Sequence, residues 1–254
     1  MTEPFETKGK IVLVTGGGTG VGLASAKVLA QKGFTVVVCG RRQDVLDKAL
    51  EEIASPDAVA ITCDVTDHQA VVALFADIER RFGRLDVLFN NAGINVKPAS
   101  LEDISVDDWL SVVNVNLNGV FFCTREAVRL MKKQTPQGGR IINNGSISAH
   151  VPRYFSVPYT TTKHAITGLT KAVSLDGRAF DIACCQIDIG NASTSMTSRM
   201  SGGVLQADGT IRSEPTMNVT HAADMVCHMA MLPLDVNIMY ATVMATKMPF
   251  AGRG

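Results

Sequence analysis

The sequence predicts a doubly wound α/β fold, a parallel sheet with helices on both faces. Three observations predict it. Short β-branched runs alternate with longer stretches of helical period. The first such run leads directly into a glycine cluster and then a helix, the opening unit of a nucleotide-binding sheet. The chain has 254 residues, 46% of them hydrophobic, which suits one large core rather than two domains. Residues 1–254 therefore read as a single domain.

The elements follow in order. Residues 11–15 form the first strand, and a helix over 20–32 follows the glycines, with Gly33 as its C-terminal cap. A strand over 34–39, a helix over 43–54 and a strand over 59–63 come next. Asp67 caps a helix over 67–82, and 85–90 is the fourth strand. One long helix spans 106–133. A turn at Pro136, Gly138 and Gly139 leads to a strand over 140–144. A helix over 159–178, a strand over 182–187, a helix over 222–231 and a strand over 238–245 complete the pattern. No repeat or low-complexity linker divides it. In the segment 191–216, twelve of 26 residues are Ser, Thr or Gly, with no strong periodicity. It reads as a substrate lid, with a passive surface loop as the alternative.

Composition removes several function classes. Lys and Arg total 24 and so do Asp and Glu, which gives zero formal charge and no electrostatic footprint for nucleic acid. The apolar stretch 222–250 is broken by Asp224, Pro233 and Asp235, so no membrane span is expected. The N-terminus MTEPFETKGK carries acids and lysines before any apolar run and does not read as a signal peptide. The six cysteines form no CxxC pair and no zinc spacing, so they read as reduced, buried thiols with no metal. The expected setting is cytoplasmic.

The segment from Thr15 to Gly22 carries glycines at 16, 20 and 22 between the first strand and the first helix. Glycines allow close approach of a pyrophosphate, and the helix N-terminus offers free N–H donors. NAD sites usually place an acid at the end of the second strand, to bind the ribose. Here Gly40 stands there, followed by Arg41 and Arg42. Guanidinium groups bind a 2′-phosphate, so NADP is preferred over NAD.

Tyr159 and Lys163 lie four apart on one helical face. A phenol is a poor base near neutral pH, and a neighbouring cation favours the phenolate. The pair suits proton exchange with an alcohol or carbonyl oxygen. Ser146 follows the fifth strand, where ligands gather in open α/β sheets. Asn116 sits in an otherwise apolar helix, as an amide relay toward Lys163 or as internal packing. Asn114 and Asn118 compete on position alone.

These residues together resemble the classical short-chain dehydrogenase/reductase family over nearly the whole chain. The resemblance is carried by Thr15 to Gly22, Asp64-Val65, Asn90-Asn91-Ala92-Gly93, Val115-Asn116-Leu117, Ser146 and Tyr159-Thr160-Thr161-Thr162-Lys163. It implies a Rossmann-type fold of about seven strands. It implies Tyr159 as acid/base, Ser146 as partner of the substrate oxygen, Lys163 at the nicotinamide ribose and Asn116 as the catalytic amide. It places Gly16, Thr19, Gly20, Val21, Gly22, Arg41, Arg42, Asp64, Val65, Asn91, Ala92, Gly93, Ile189 and Gly190 at the cofactor. It also implies a homodimer or homotetramer, with the helices around Asn116 and after Tyr159 at one interface. Trp109, Phe121 and Phe122 serve either that interface or the core.

Two departures stand out. Ile189-Gly190 replaces the family's usual Pro-Gly, and the ending from Thr246 to Gly254 lacks the frequent Val-Asp-Gly-Gly. The expected reaction interconverts a carbonyl and a secondary alcohol. The alternatives are a non-catalytic NADP(H)-binding regulator, against which the intact Ser/Tyr/Lys/Asn set argues, and a sugar-nucleotide epimerase or dehydratase. For those enzymes the chain is short and the glycine spacing differs. The substrate pocket should lie between residues 148–154 and 191–216, where His150 and Arg153 either face an anionic group or are solvated.

Overall fold

The structure, a computed structural model, describes residues 6–194, 202–206 and 208–250. Parts of two sequence expectations lie outside these. They are residues 195–201 and 207 of the lid segment and 251–254 of the C-terminal ending.

The chain runs β1 (Ile11–Thr15), α1 (Gly20–Gln31), β2 (Thr35–Gly40), α2 (Gln43–Ile53), β3 (Val59–Thr62), α3 (His68–Phe82) and β4 (Val87–Asn90). It continues through α4 (Val106–Val113), α5 (Val120–Lys133), β5 (Gly139–Asn144), α6 (Val157–Gly177) and β6 (Ile182–Ile189). After these come β7 (Val204–Leu205), β8 (Ile211–Arg212), α7 (Val219–Ala230) and β9 (Tyr240–Val243). Seven strands form one sheet in the order β3-β2-β1-β4-β5-β6-β9, and every pairing is parallel. This is the doubly wound, Rossmann-like sheet, with the order reversing between β1 and β4. In open α/β sheets that reversal opens a crevice beyond the strand C-termini.

The inner strands β1, β2, β4, β5 and β6 are buried on both faces, so they read as continuous apolar runs rather than alternating ones, whereas the edge strands β3 and β9 are partly exposed. Leu13, Val37, Leu88 and Ile141 pack with Leu74, Ile78, Ala127 and Leu130 from α3 and α5 on one side. Val12, Val14, Phe89 and Ile142 pack with Leu29, Leu46 and Val226 from α1, α2 and α7 on the other. All six cysteines are unpaired and buried inside this core. Burial pushes the Cys63 thiol up to about 11, with the Asp64 and Asp67 charges adding to it.

Several boundaries differ from expectation for identifiable reasons. The fourth strand starts at Val87 rather than 85 because the Leu85 amide donates to the Gln134 side chain at 2.9 Å, outside the ladder. The sixth strand extends to Ile189 because β9 pairs with it through Asp188↔Thr242 and Ile189↔Val243. That partner strand is itself four residues, shorter than expected. The seventh helix starts at Val219, where Asn218 caps it by accepting from the Thr220 amide; that polar first turn carries no apolar period. The sixth helix starts two residues early, with a proline in its first turn. The expected single helix over 106–133 is interrupted by a π-helical turn at Asn114–Gly119. In the 191–216 segment the expected irregular loop contains a short antiparallel pair, β7 with β8.

Candidate active site

The groove for a dinucleotide begins where β1 ends. Gly16 adopts φ +61°, and a Cβ there would stand 2.9 Å from the Ala92 Cα. A Cβ on Gly22 would stand 2.4 Å from the Gly16 carbonyl oxygen. The turn and the segment after β4 therefore close on each other only because both positions lack side chains. Hydrogen bonds complete the seam. The Thr15 hydroxyl accepts from the amides of Asn91 and Ala92 at 2.9 and 3.0 Å. The Asn91 side chain donates to the Thr15 carbonyl at 2.9 Å. Thr19 is the N-cap of α1 without a side-chain cap, and the first turn holds no acid. Its N–H donors and positive dipole end are left for an anion, which is what a pyrophosphate needs.

Three cavities lie in sequence along the C-terminal edge of the sheet. The first, about 160 Å³, is lined by Gly16, Gly18, Thr19, Gly40, Arg41, Arg42, Asp64, Val65, Ala92 and Gly93 among others. The second, about 200 Å³, shares Gly16, Thr19, Ala92 and Gly93 with it and adds Gly20, Val21, Asn91, Asn144, Tyr159, Lys163 and Thr194. The third, about 280 Å³, shares Tyr159 with the second. Its walls include Val96, Pro98, Ile147, Phe155, Val204 and Leu205, with Ser146 and Arg153 among its polar groups.

Tyr159 and Lys163 project from successive turns of α6. The Lys163 ammonium is 5.4 Å from the Tyr159 ring centroid and donates to the Asn144 carbonyl at 2.7 Å. Ser146 lies just past β5. Its hydroxyl accepts from the Ser148 amide at 3.1 Å, which leaves its own proton to donate. Asn116 lies in the π-helical turn and is 1% exposed. It accepts from the Ile94 amide at 2.8 Å and donates to the Ile94 carbonyl at 2.9 Å. Its remaining contact is Thr162 at 3.4 Å, so it braces the loop after β4 and has no direct bond to Lys163.

The structure brings most of the expected residues to this groove and sorts the rest. Gly22 packs beneath the turn rather than lining it. Ile189 and Gly190 line the third cavity, which adjoins the second at Tyr159. Both His150, whose side chain is 43% exposed, and Arg153 are engaged by buried carboxylates. His150 faces the buried Asp188 at 2.7 Å. Arg153 grips both oxygens of the buried Glu214, at 2.9 and 2.6 Å, and donates to Asn191 at 2.8 Å. Burial alone would raise the Glu214 carboxyl, but donors from Arg153, Asn191 and Gln206 outweigh it and hold it at about 2. Sequence reasoning missed Asn144, Asp188, Thr194 and Glu214. A small signal existed for two of them: an acid inside the apolar run 182–189 and an acid ending a Ser/Thr/Gly-rich stretch are both unusual.

An open parallel sheet whose glycine-built groove runs into a Ser/Tyr/Lys-lined cavity defines a class of nucleotide-dependent redox proteins. The comparisons narrow this. The model of the short chain dehydrogenase family matches residues 10–203, and the chain belongs to that family of oxidoreductases. It is 40% identical to a 3beta-hydroxysteroid dehydrogenase of Mediterraneibacter gnavus, over 77% of this chain and 70% of that one. It is 38% identical to the NADP-dependent (R)-specific alcohol dehydrogenase of Lentilactobacillus kefiri, over 66% and 67%. The crystal structure of a 3-ketoacyl-(acyl-carrier-protein) reductase from Brucella melitensis, complexed with NADH, shares the fold. Its TM-score is 0.84 at 24% identity, covering 94% of this chain and 98% of that one.

Proposed function

We propose that the protein interconverts a carbonyl and a secondary alcohol, with NADP(H) preferred over NAD(H) and Tyr159 as the acid/base. One observation carries the reading: Tyr159 lines both the groove fitted to a dinucleotide and the larger cavity beside it. A bound nicotinamide supplies or takes up the hydride. In reduction Tyr159 donates its proton to the substrate oxygen, and in oxidation it takes that proton back. The Ser146 hydroxyl donates to the same oxygen. Lys163 sets a positive charge beside the phenol and reaches the ribose side of the groove. Asn116 holds the groove's floor through Ile94 and Thr162.

The cofactor preference rests on Arg41 and Arg42. Both are exposed, both line the adenosine end, and neither forms an ion pair with a described residue. The acid of that end, Asp64, is turned to the Thr66 amide and hydroxyl at 3.0 and 2.8 Å. The named relatives divide between the two cofactors, so this local charge decides the reading. The lid reading of the 191–216 segment is supported by its described residues Asn191, Gly203, Val204 and Leu205, which line the larger cavity. A second copy of the chain covers the exposed Leu110, Phe121 and Leu175 in a homodimer or homotetramer. The unpaired buried cysteines support a reducing, cytoplasmic setting. Among the described residues no helix is long and apolar enough to cross a membrane.

A cofactor-fluorescence titration followed by a panel of ketones and secondary alcohols tests the activity. Tyr159→Phe keeps ring volume and removes the transferable proton. Turnover should fall ~10²–10⁴-fold with cofactor binding retained. Near-normal turnover in this variant removes Tyr159 from the acid/base role.

A further inference from the structure

Asp188 stands near the C-terminal end of β6 with no exposure to solvent. Both of its oxygens are engaged. Oδ1 accepts from the Ser146 backbone N–H at 2.9 Å and from Gln186 Nε2 at 2.7 Å. Oδ2 faces His150 Nε2 at 2.7 Å. Burying a carboxylate is strongly unfavourable unless charge and hydrogen bonds compensate. Even a compensated buried pair is often no more stable than an apolar replacement. Stability alone therefore does not account for an ion pair at this place.

Its position does. The Gly145–Ser146 turn passes directly over the carboxylate, and a Cβ on Gly145 would fall 2.0 Å from Oδ1. The Gly145 amide is held by the Ile187 carbonyl at 2.8 Å, and the Ser146 amide by Asp188. The Ser148 amide then fixes the Ser146 hydroxyl oxygen from the other side. Ser146 is thus held by its backbone and its side chain at once.

On the other oxygen the neighbour is His150. Its ring stands edge-on to Phe250 at 6.3 Å. Tyr240 on β9 senses the carboxylate: burial raises its phenol first and the Asp188 charge second. Arg153, three residues beyond His150, is committed to Glu214. Among the described residues His150 is the one basic side chain with a nitrogen within 4.0 Å of an Asp188 oxygen.

We infer that Asp188 is a positioning residue: it holds the Ser146 amide so that the hydroxyl faces the substrate cavity, while its other oxygen is engaged by His150. The inference rests on Ser146 being the partner of the substrate oxygen. It concerns a residue that touches neither groove nor cavity, so its effect must pass through Ser146.

A double-mutant cycle separates this from a merely structural role. Reduction of the panel ketone turned over fastest is followed in wild type, Ser146→Ala, Asp188→Ala and the double variant, with NADPH binding measured in each. Asp188→Ala should lower kcat about 10- to 100-fold, with KM and the NADPH Kd little changed. Asp188→Asn, whose side-chain oxygen still accepts the Ser146 N–H, should recover most of the rate. In the Ser146→Ala background, Asp188→Ala should cost less than about twofold. Wild-type kcat in Asp188→Ala, or an equal loss in both backgrounds, overturns the inference. Full activity in Ser146→Ala overturns the role given to Ser146 and the inference with it. If Asp188→Ala does not fold, Asp188→Ser is read in the same way, since its hydroxyl is too short to reach the Ser146 amide.

Discussion

The two ends of the groove are built by different means. On the cofactor side, backbone meets backbone where side chains are missing, as at Gly16 against Ala92 and Gly22 against Gly16. On the substrate side, charged side chains meet across long stretches of chain. Arg153 binds Glu214 from 61 residues away, and His150 binds Asp188 from 38. The first arrangement fits a ligand that is the same in many proteins, because a bare backbone cradle recognises any pyrophosphate. The second can be rebuilt pair by pair around a different substrate while the sheet stays fixed.

The largest effect should follow from filling the cradle. Gly22→Ala places a methyl 2.4 Å from a backbone oxygen and 2.5 Å from the Asn91 side-chain nitrogen. Backbone cannot yield as a flexible side chain can, and overpacking of this kind costs about 1–3 kcal/mol. The expected reading is a ten- to hundredfold weaker NADPH Kd, or a matching loss of stability in a thermal melt. Unchanged binding and melting would mean that the glycines do not set the groove.

The same contrast explains what the sequence could reveal. Absence of a side chain is a local, countable feature, so Gly16, Gly20 and Gly22 stood out. So did Tyr159 and Lys163, because one helical spacing joins them. The strand and helix order was legible from periodicity, since the inner strands β1, β2, β4, β5 and β6 are buried on both faces. What stayed hidden was pairing at a distance. Nothing local tells that Asp188 needs His150, or that Arg153 is neutralised by Glu214. The two basic residues therefore read as either facing an anionic group or solvated, whereas each is engaged by a carboxylate of the chain itself. The π-helical turn was hidden for another reason: it widens one turn inside an otherwise continuous helix, which leaves no residue-type signature in the sequence.

A middle-sized effect should come from the adenosine end, where the cofactor side becomes specific. A Cβ on Gly40 would meet only Leu46 Cδ2, at 3.6 Å, an ordinary contact. An aspartate therefore fits there without strain. Gly40→Asp combined with Arg41→Ala should shift preference toward NAD by about tenfold or more, since a charge-assisted hydrogen bond contributes ~1.5–3 kcal/mol. Because the arginines are exposed, the NADPH affinity of the unmodified protein should weaken with salt. Dissociation constants for both cofactors at low and moderate salt decide it, and tighter binding of NAD by the unmodified protein overturns the preference.

The smallest effect should appear where the substrate side is clasped. Glu214 binds Arg153, Asn191 and Gln206, so its carboxylate ties the two ends of the 191–216 segment to the loop after β5. Its pKa in the fold is about 2, below its ordinary 4.5. A carboxyl lowered by folding adds stability that is fully present above its unfolded pKa and is lost as pH falls toward the folded one. The clasp should therefore be intact at pH 6 and weaken progressively below about pH 4.5. Hydrogen exchange, corrected for intrinsic rates, should show 191–216 losing protection between pH 6 and pH 3 before the strands β1 and β4 do. Glu214→Gln should show the loosened segment already at pH 6 and little further change on acidification. At pH 6, cofactor and substrate together should restore protection if the segment closes over the cavity. Equal protection in every state, or loosening that Glu214→Gln does not mimic, would make it a passive loop and would remove the contrast between the two ends.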